Sequence, residues 1–244
     1  MKTARDTPEP ARNSETKERL PRIFDVVVSL IGLVLSMPLL LAAGFMVAVT
    51  SAGGILFKQE RVGRNGRLFT LYKLRTMRVS NSGPQVTSGD DVRITGVGRF
   101  LRQTKLDELP TLWNVLRGDL SLVGPRPEVP KYVDLEDPQW QLVLEAKPGI
   151  TDPVTLQLRN EEKLLAQVGG DPEQYYVTKL QPLKLKGYVA YLKSRTWRRD
   201  LQVLWHTTVA VIIPSQSLTQ TSDGRHDADP CNLLHASNNK ECPK

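Results

Sequence analysis

The sequence predicts an α+β fold, mainly helical. It reads as a compact cytoplasmic domain with a small β-hairpin, anchored by a proline-broken re-entrant membrane helix and by interfacial amphipathic helices. Three observations carry this reading. Residues 26–49, VVVSLIGLVLSMPLLLAAGFMVAV, hold no charge and are long enough to cross a bilayer. One Asn-Gly pair, Asn65-Gly66, sits between two strand-forming runs. Much of the remaining chain places apolar residues at helical spacing between Pro and Gly breaks.

The elements follow in order. Residues 1–19 are polar, mixed in charge and proline-containing, and read as a disordered N-terminal tail. Residues 20–52 form the membrane element. The run is too long for a secretory signal and stays apolar after Ala42-Ala43, where a cleavage region turns polar. Pro38 at its middle removes a backbone donor. Both flanks are basic, with Lys17, Arg19 and Arg22 before and Lys58, Arg61, Arg64 and Arg67 after. The positive-inside rule separates basic from non-basic sides, and here the two sides match. A helix that enters, breaks at Pro38 and returns to the same face accounts for both features. A kinked single span is the alternative.

Residues 53–213 are the expected folded domain. Residues 55–77 read as the hairpin, and 80–91, rich in Gly, Ser, Asn and Pro, as a loop long enough to cover a site. Residues 99–116 are helical in pattern, with Thr104 and Asp107 at capping-box spacing. Pro110 is tolerated only near a helix start, so Asp107-Glu108 falls at or just before an N-terminus, and Gly118 ends the helix. Residues 140–148, 161–168 and 172–193 read as further helices. In 195–213, Arg195, Arg198 and Arg199 precede an apolar helix too short to span; it packs in the core or lies in a membrane interface. His206 within it reads as a packed or interfacial side chain. Residues 214–244 are a second disordered tail. Its Cys231, Cys242, His226 and His235 match no zinc spacing, and the scarcity of cysteine fits a reducing compartment.

Charge narrows the chemistry. The net charge is +7, and between Lys58 and Lys105 eleven bases face three acids, Glu60, Asp90 and Asp91. Such a block attracts polyanions: nucleic acid, anionic lipid headgroups or phosphorylated substrates. It lacks interleaved aromatic residues and any nucleic-acid-binding motif, which argues against nucleic acid. The segment KLDELPTLWNVLRGDLSLVGPRP, residues 105–127, opens with Asp107 and Glu108 and closes on Arg126 between two prolines. Adjacent acids at a helix start, with a rigidly presented arginine, suit chemistry on a phosphate: one carboxylate attacks phosphorus while the other holds a divalent cation. Taken alone, the pair also suits simple compensation of a helix dipole.

Taken together, these features resemble the monotopic phosphoglycosyl transferases, bacterial sugar transferases that make polyprenyl-diphosphate-linked sugars. The resemblance covers about residues 20–213. It runs through RIFD at 22–25, QERVGRNGRLFTLYKLRTM at 59–77, VGRFLRQTKLDELPTLWNVLRGDLSLVGPRP at 97–127, KPGIT at 147–151, Tyr175-Tyr176 and the neighbourhood of Asp200-Leu201. It implies that 53–213 is a catalytic domain at the cytoplasmic face of a bacterial inner membrane. Asp107 would be the nucleophile toward a UDP-sugar, and Glu108 would help hold Mg2+. Arg102 and Arg126 would contact phosphate, with Lys73, Arg75 and Arg159 completing the substrate-binding set. The implied partners are a UDP-sugar, polyprenol phosphate and membrane lipid, with no nucleic acid; a homodimer is left open. Two departures from the family pattern stand out: Met37-Pro38 where Ser-Pro is common, and Asp152-Pro153 directly after KPGIT. A catalytically silent membrane adaptor is the competing expectation. The sequence names neither the donor sugar nor the pathway.

Overall fold

The computed structural model describes residues 19–79, 89, 91–168 and 170–212. Most of both expected tails, the Cys231/Cys242 region and nearly all of the 80–91 loop lie outside these residues. The described chain is mostly helical, as expected, with two small sheets where one hairpin was expected. It opens with α1, Arg22–Thr50, whose 29 residues span about 43 Å at 1.5 Å per residue. Pro38 lies inside it, and α1 is one helix rather than the two segments expected. The proline removes a single donor from the ladder, and in the turn before it the Ser36 hydroxyl donates to the Leu33 carbonyl at 3.3 Å.

One narrow stripe of α1 is buried: Asp25, Ser29, Ser36, Ala43, Gly44 and Val47. The steps are nearly all three, four or their sum, seven, so the stripe faces one side. Small residues let neighbours come close; the Leu112 side chain would lie 3.1 Å from a Cβ at Gly32. The other flank is bare, with Ile23, Leu35 and Phe45 each more than 70% exposed. Both ends of the helix rest on the same body. At the start, Asp25 accepts from the Ser121 hydroxyl (2.8 Å) and the Leu122 amide (3.1 Å). Near the end, Ala43 and Val47 pack with Leu74 and Leu101.

Strands β1, Leu56–Val62, and β2, Leu68–Leu74, form the expected antiparallel hairpin, with Val62 opposite Leu68 at its closed end. Asn65 (φ 56°) and Gly66 (φ 74°) both take left-handed backbone, the conformation an Asn-Gly turn requires. Helix α2, Gly96–Gln103, is capped by Thr95, whose hydroxyl accepts from the Gly98 amide at 2.9 Å.

The continuous helix expected over 99–116 is two helices. Lys105 turns left-handed (φ 59°), a 3-10 turn covers Leu106–Glu108, and α3 runs Thr111–Arg117 to Gly118 (φ 93°). The capping box is not formed. Thr104 donates its hydroxyl back to the Phe100 and Leu101 carbonyls (2.9 and 3.2 Å) and so closes α2 instead of opening α3.

A small parallel sheet was not foreseen. β3, Ser121–Val123, pairs with β4, Gly149–Thr151, across a connection that contains α4, Pro138–Glu145. A Cβ on Gly149 would lie 2.1 Å from the Gly124 amide nitrogen, so only glycine allows this approach. Asp152 then caps α5, Pro153–Gln157, accepting from the Val154 and Thr155 amides (2.7 and 3.0 Å). The Asp152-Pro153 departure is therefore a helix start, with Pro at the first helical position. Next come α6, Glu161–Ala166, and α7, Pro172–Tyr175. A π turn, Tyr176–Leu180, leads into α8, Gln181–Lys193. Helix α9, Trp197–Ile212, buries Asp200 and Val203 and leaves Trp197, Leu201 and Trp205 exposed on one side.

Candidate active site

The site forms where β2, the 3-10 turn, β3 and β4 converge, and buried asparagine sets that convergence. Asn114 on α3 is fully buried; its side-chain amide donates to the Thr70 carbonyl (2.7 Å), and its oxygen accepts from the Tyr72 amide (3.1 Å). Helix α3 is thereby bonded to the backbone of β2 one residue before Lys73. Lys73 then reaches Glu108 on the turn that leads into α3, with Nζ 3.0 Å from Oε1. The Thr111 hydroxyl donates to the Glu108 carbonyl at 2.6 Å and fixes the turn.

Arg126 arrives from the opposite side. After β3 the chain passes Gly124 into Pro125-Arg126-Pro127, and the guanidinium meets Glu108 with both nitrogens: Nη2 to Oε1 at 2.5 Å and Nη1 to Oε2 at 3.3 Å. Nη1 also donates to the Ile150 carbonyl of β4 at 3.3 Å. Glu108 is therefore clamped between a fork and an ammonium. Burial alone would raise its carboxyl, but Arg126 and Lys73 outweigh that and hold it well below the usual carboxylate range. Glu108 in turn raises the Arg126 guanidinium. Burial lowers the Lys73 ammonium, against the attraction of Glu108.

Asp107 is in the opposite condition. It is 7% exposed, and its Oδ1 has no hydrogen-bond partner. Burial, then the charge of Glu108, pushes its carboxyl up to about 6, against the pull of Lys73, Lys105 and Arg102. Two neighbouring acids with pKa values driven apart by their surroundings mark a division of labour. The clamped one is a fixed charge, and the unpartnered one is an under-solvated oxygen suited to attack.

The other expected residues divide. Arg102 donates to the Thr76 hydroxyl and to Glu162, each at 2.9 Å, and still acts electrostatically on Asp107. Arg75 is turned away, donating to the Gly54 and Leu56 carbonyls (2.9 and 3.4 Å), where it secures the link between α1 and the hairpin. Arg159 lies exposed in the turn between α5 and α6. None of Arg75, Arg102 and Arg159 lines the cleft around Glu108. Arg61 does, and it was not among the expected site residues. Its signal was its place in QERVG, two residues after Gln59, whose Oε1 now accepts from its Nε and Nη2.

Among the described residues no group of three or more His, Cys, Asp or Glu side chains gathers as a metal centre. The Asp107-Glu108 pair still fits Mg2+. Mg2+ takes one or two protein carboxylates and completes its shell with water and substrate phosphate. The more weakly held Glu108 Oε2 is the oxygen on offer, which leaves the unpartnered Asp107 Oδ1 for attack.

The same chain, compared with known proteins, matches the bacterial sugar transferase family over residues 16–214. The chain belongs to that family. Among its bacterial sugar transferase relatives is the UDP-glucose:undecaprenyl-phosphate glucose-1-phosphate transferase of Caulobacter vibrioides, 36% identical over 78% of this chain and 69% of that protein. The undecaprenyl-phosphate galactose phosphotransferase of Salmonella typhimurium is 35% identical over 79% of this chain. The UDP-N-acetylgalactosamine-undecaprenyl-phosphate N-acetylgalactosaminephosphotransferase of Aeromonas hydrophila is 38% identical over 54%. The match spans only 40% and 32% of those two proteins. The three relatives are named for different sugars.

Proposed function

We propose that this sugar transferase moves a sugar 1-phosphate from a UDP-sugar to polyprenol phosphate, the opening step of a bacterial surface glycoconjugate or exopolysaccharide. The observation that carries the reading is the contrast between Asp107 and Glu108. The Asp107 carboxylate attacks the β-phosphorus, the bond from that phosphorus to the bridging oxygen breaks, and UMP leaves with the electron pair. The product on the protein is a mixed anhydride of aspartate and sugar phosphate. The polyprenol phosphate oxygen then attacks the same phosphorus, giving polyprenyl-diphosphate-sugar and freeing the carboxylate. A covalent intermediate lets one cleft serve a soluble donor and a lipid acceptor in turn. Arg126 and Lys73 bind the phosphates of the donor. Mg2+, which Glu108 would help hold, would offset repulsion between the anionic nucleophile and the diphosphate.

The membrane placement belongs to the same proposal. An apolar helix with one bare flank, both of whose ends rest on one body, suits insertion from a single face. The domain then stays on the cytoplasmic side of the inner membrane. The exposed Trp197, Leu201 and Trp205 of α9 suit contact with the lipid interface.

UDP-sugar alone should release at most one equivalent of UMP per site, with a burst that grows as pH rises through about 6 and Asp107 ionises. Asp107→Asn should release none, and Glu108→Gln should be severely impaired with partial recovery at high Mg2+. Trapped protein should carry a sugar phosphate on the Asp107 peptide. A label on Glu108, or UMP that appears only with both substrates present, would overturn these roles.

A further inference from the structure

We infer that Arg61 is a positioning residue for donor phosphate recognition: from the hairpin it braces the 125–127 turn so that Arg126 stays aimed into the cleft. The turn cannot brace itself. Its two prolines have no amide hydrogen to donate, so its hydrogen bonds to the rest of the fold run through its carbonyls. Two of the turn's carbonyls and the one just after it are held by other elements. Pro125 accepts from the Gly149 amide at 3.0 Å, Pro127 accepts from Arg61 Nη1 at 3.0 Å, and Glu128 accepts from the Val62 amide at 2.9 Å. Two consecutive residues of β1 thus hold the two consecutive carbonyls that follow Arg126.

The Arg61 guanidinium is itself fixed in plane. Gln59 Oε1 accepts from Nη2 at 2.7 Å and from Nε at 3.2 Å, leaving Nη1 directed at Pro127. Its counter-ion is shared. Glu128 Oε1 stands 3.4 Å from Nη1 and also accepts from the Val129 amide, while Oε2 accepts from the Tyr176 hydroxyl. The charges on Arg61 and Arg126 act on each other across the cleft. The cleft therefore holds Arg61, Lys73 and Arg126 around Glu108, a surplus of positive charge that suits a diphosphate. A lysine at 61 keeps the charge but cannot reach Gln59 and Pro127 in one plane.

The inference rests on the donor reading above, and its test separates the two. Arg61→Lys, Arg61→Gln and Gln59→Leu are compared with the unaltered chain. Donor KM and kcat are measured at saturating polyprenol phosphate, and binding of inorganic pyrophosphate is followed by calorimetry. Arg61→Lys should raise donor KM about tenfold or more with kcat within about threefold. It should weaken pyrophosphate binding to a similar degree and leave the polyprenol phosphate KM unchanged. Gln59→Leu, which keeps the charge and loses only the planar fork, should move the same quantities by less. If Arg61→Gln fails to fold, the other two variants carry the test. Unaltered donor KM and pyrophosphate affinity in Arg61→Lys, a loss confined to kcat, or no pyrophosphate binding by the unaltered chain would overturn the inference. Pyrophosphate binding that depends on Arg61, with no UMP from any UDP-sugar, would keep it and remove the donor reading.

Discussion

Asp107 and Glu108 are neighbours in sequence and opposites in surroundings, and the difference is measurable without substrate. The Asp107 carboxyl is raised from its ordinary 3.8 to about 6, first by burial and then by Glu108. Between those values the folded protein holds a proton that the unfolded chain has released. Stability therefore falls as pH rises from about 4 to about 6, and above that the ionised group costs the fold up to about 3 kcal/mol. Asp107→Asn keeps the shape and removes the titration. Its melting temperature should exceed that of the unaltered chain at pH 7.5 by the equivalent of about 1–3 kcal/mol, and the gap should close near pH 4. A pH-independent difference would mean that Asp107 is not held under strain of charge. At this scale much was legible. Two adjacent acids and an arginine between prolines are local signals, and Glu108 and Arg126 do meet. The turning away of Arg75 was not legible, and Arg61 showed only as one base in QERVG, because sequence does not say which side of a hairpin a distant loop will approach.

The elements are where a single polar side chain decides most. Asn114 is bonded to both the Thr70 carbonyl and the Tyr72 amide, so α3 and β2 are fastened through the strand's own backbone. Asn114→Ala should cost about 2–4 kcal/mol in denaturant unfolding, since it strands a buried donor and a buried acceptor together. A loss below about 1 kcal/mol would show that water replaces the amide without penalty. The hairpin, the stop at Gly118 and the helical second half were readable from turn chemistry and apolar spacing. The parallel pair β3–β4 was not, because three-residue strands show no period. Nor was the left-handed Lys105 that splits the expected helix, since a lysine there carries no turn signal and Thr104 matched a capping pattern it does not use.

At the scale of the whole molecule, α1 governs both the proposed placement and the integrity of the body. Its flanks should lie on one side of the membrane. Single cysteines placed near Arg19 and near Arg64, probed in intact cells with an impermeant thiol reagent, should both stay unlabelled. Labelling at one of the two would establish a spanning helix. The mode of insertion was argued from charge flanks and Pro38, whereas the contacts along α1 depend on small residues whose partners lie far along the chain. Arg22 illustrates this: its guanidinium donates to the Val115, Leu116 and Leu120 carbonyls around the end of α3, and Asp25 three residues on holds β3. The helix that would dip into lipid is thus also a wall of the protein. A generic anchor of equal length and oiliness grafted in its place would reproduce the greasy flank and lose the sculpted one. On the proposed placement, attachment to a surface and assembly of the folded body would be one inheritance, not two interchangeable parts.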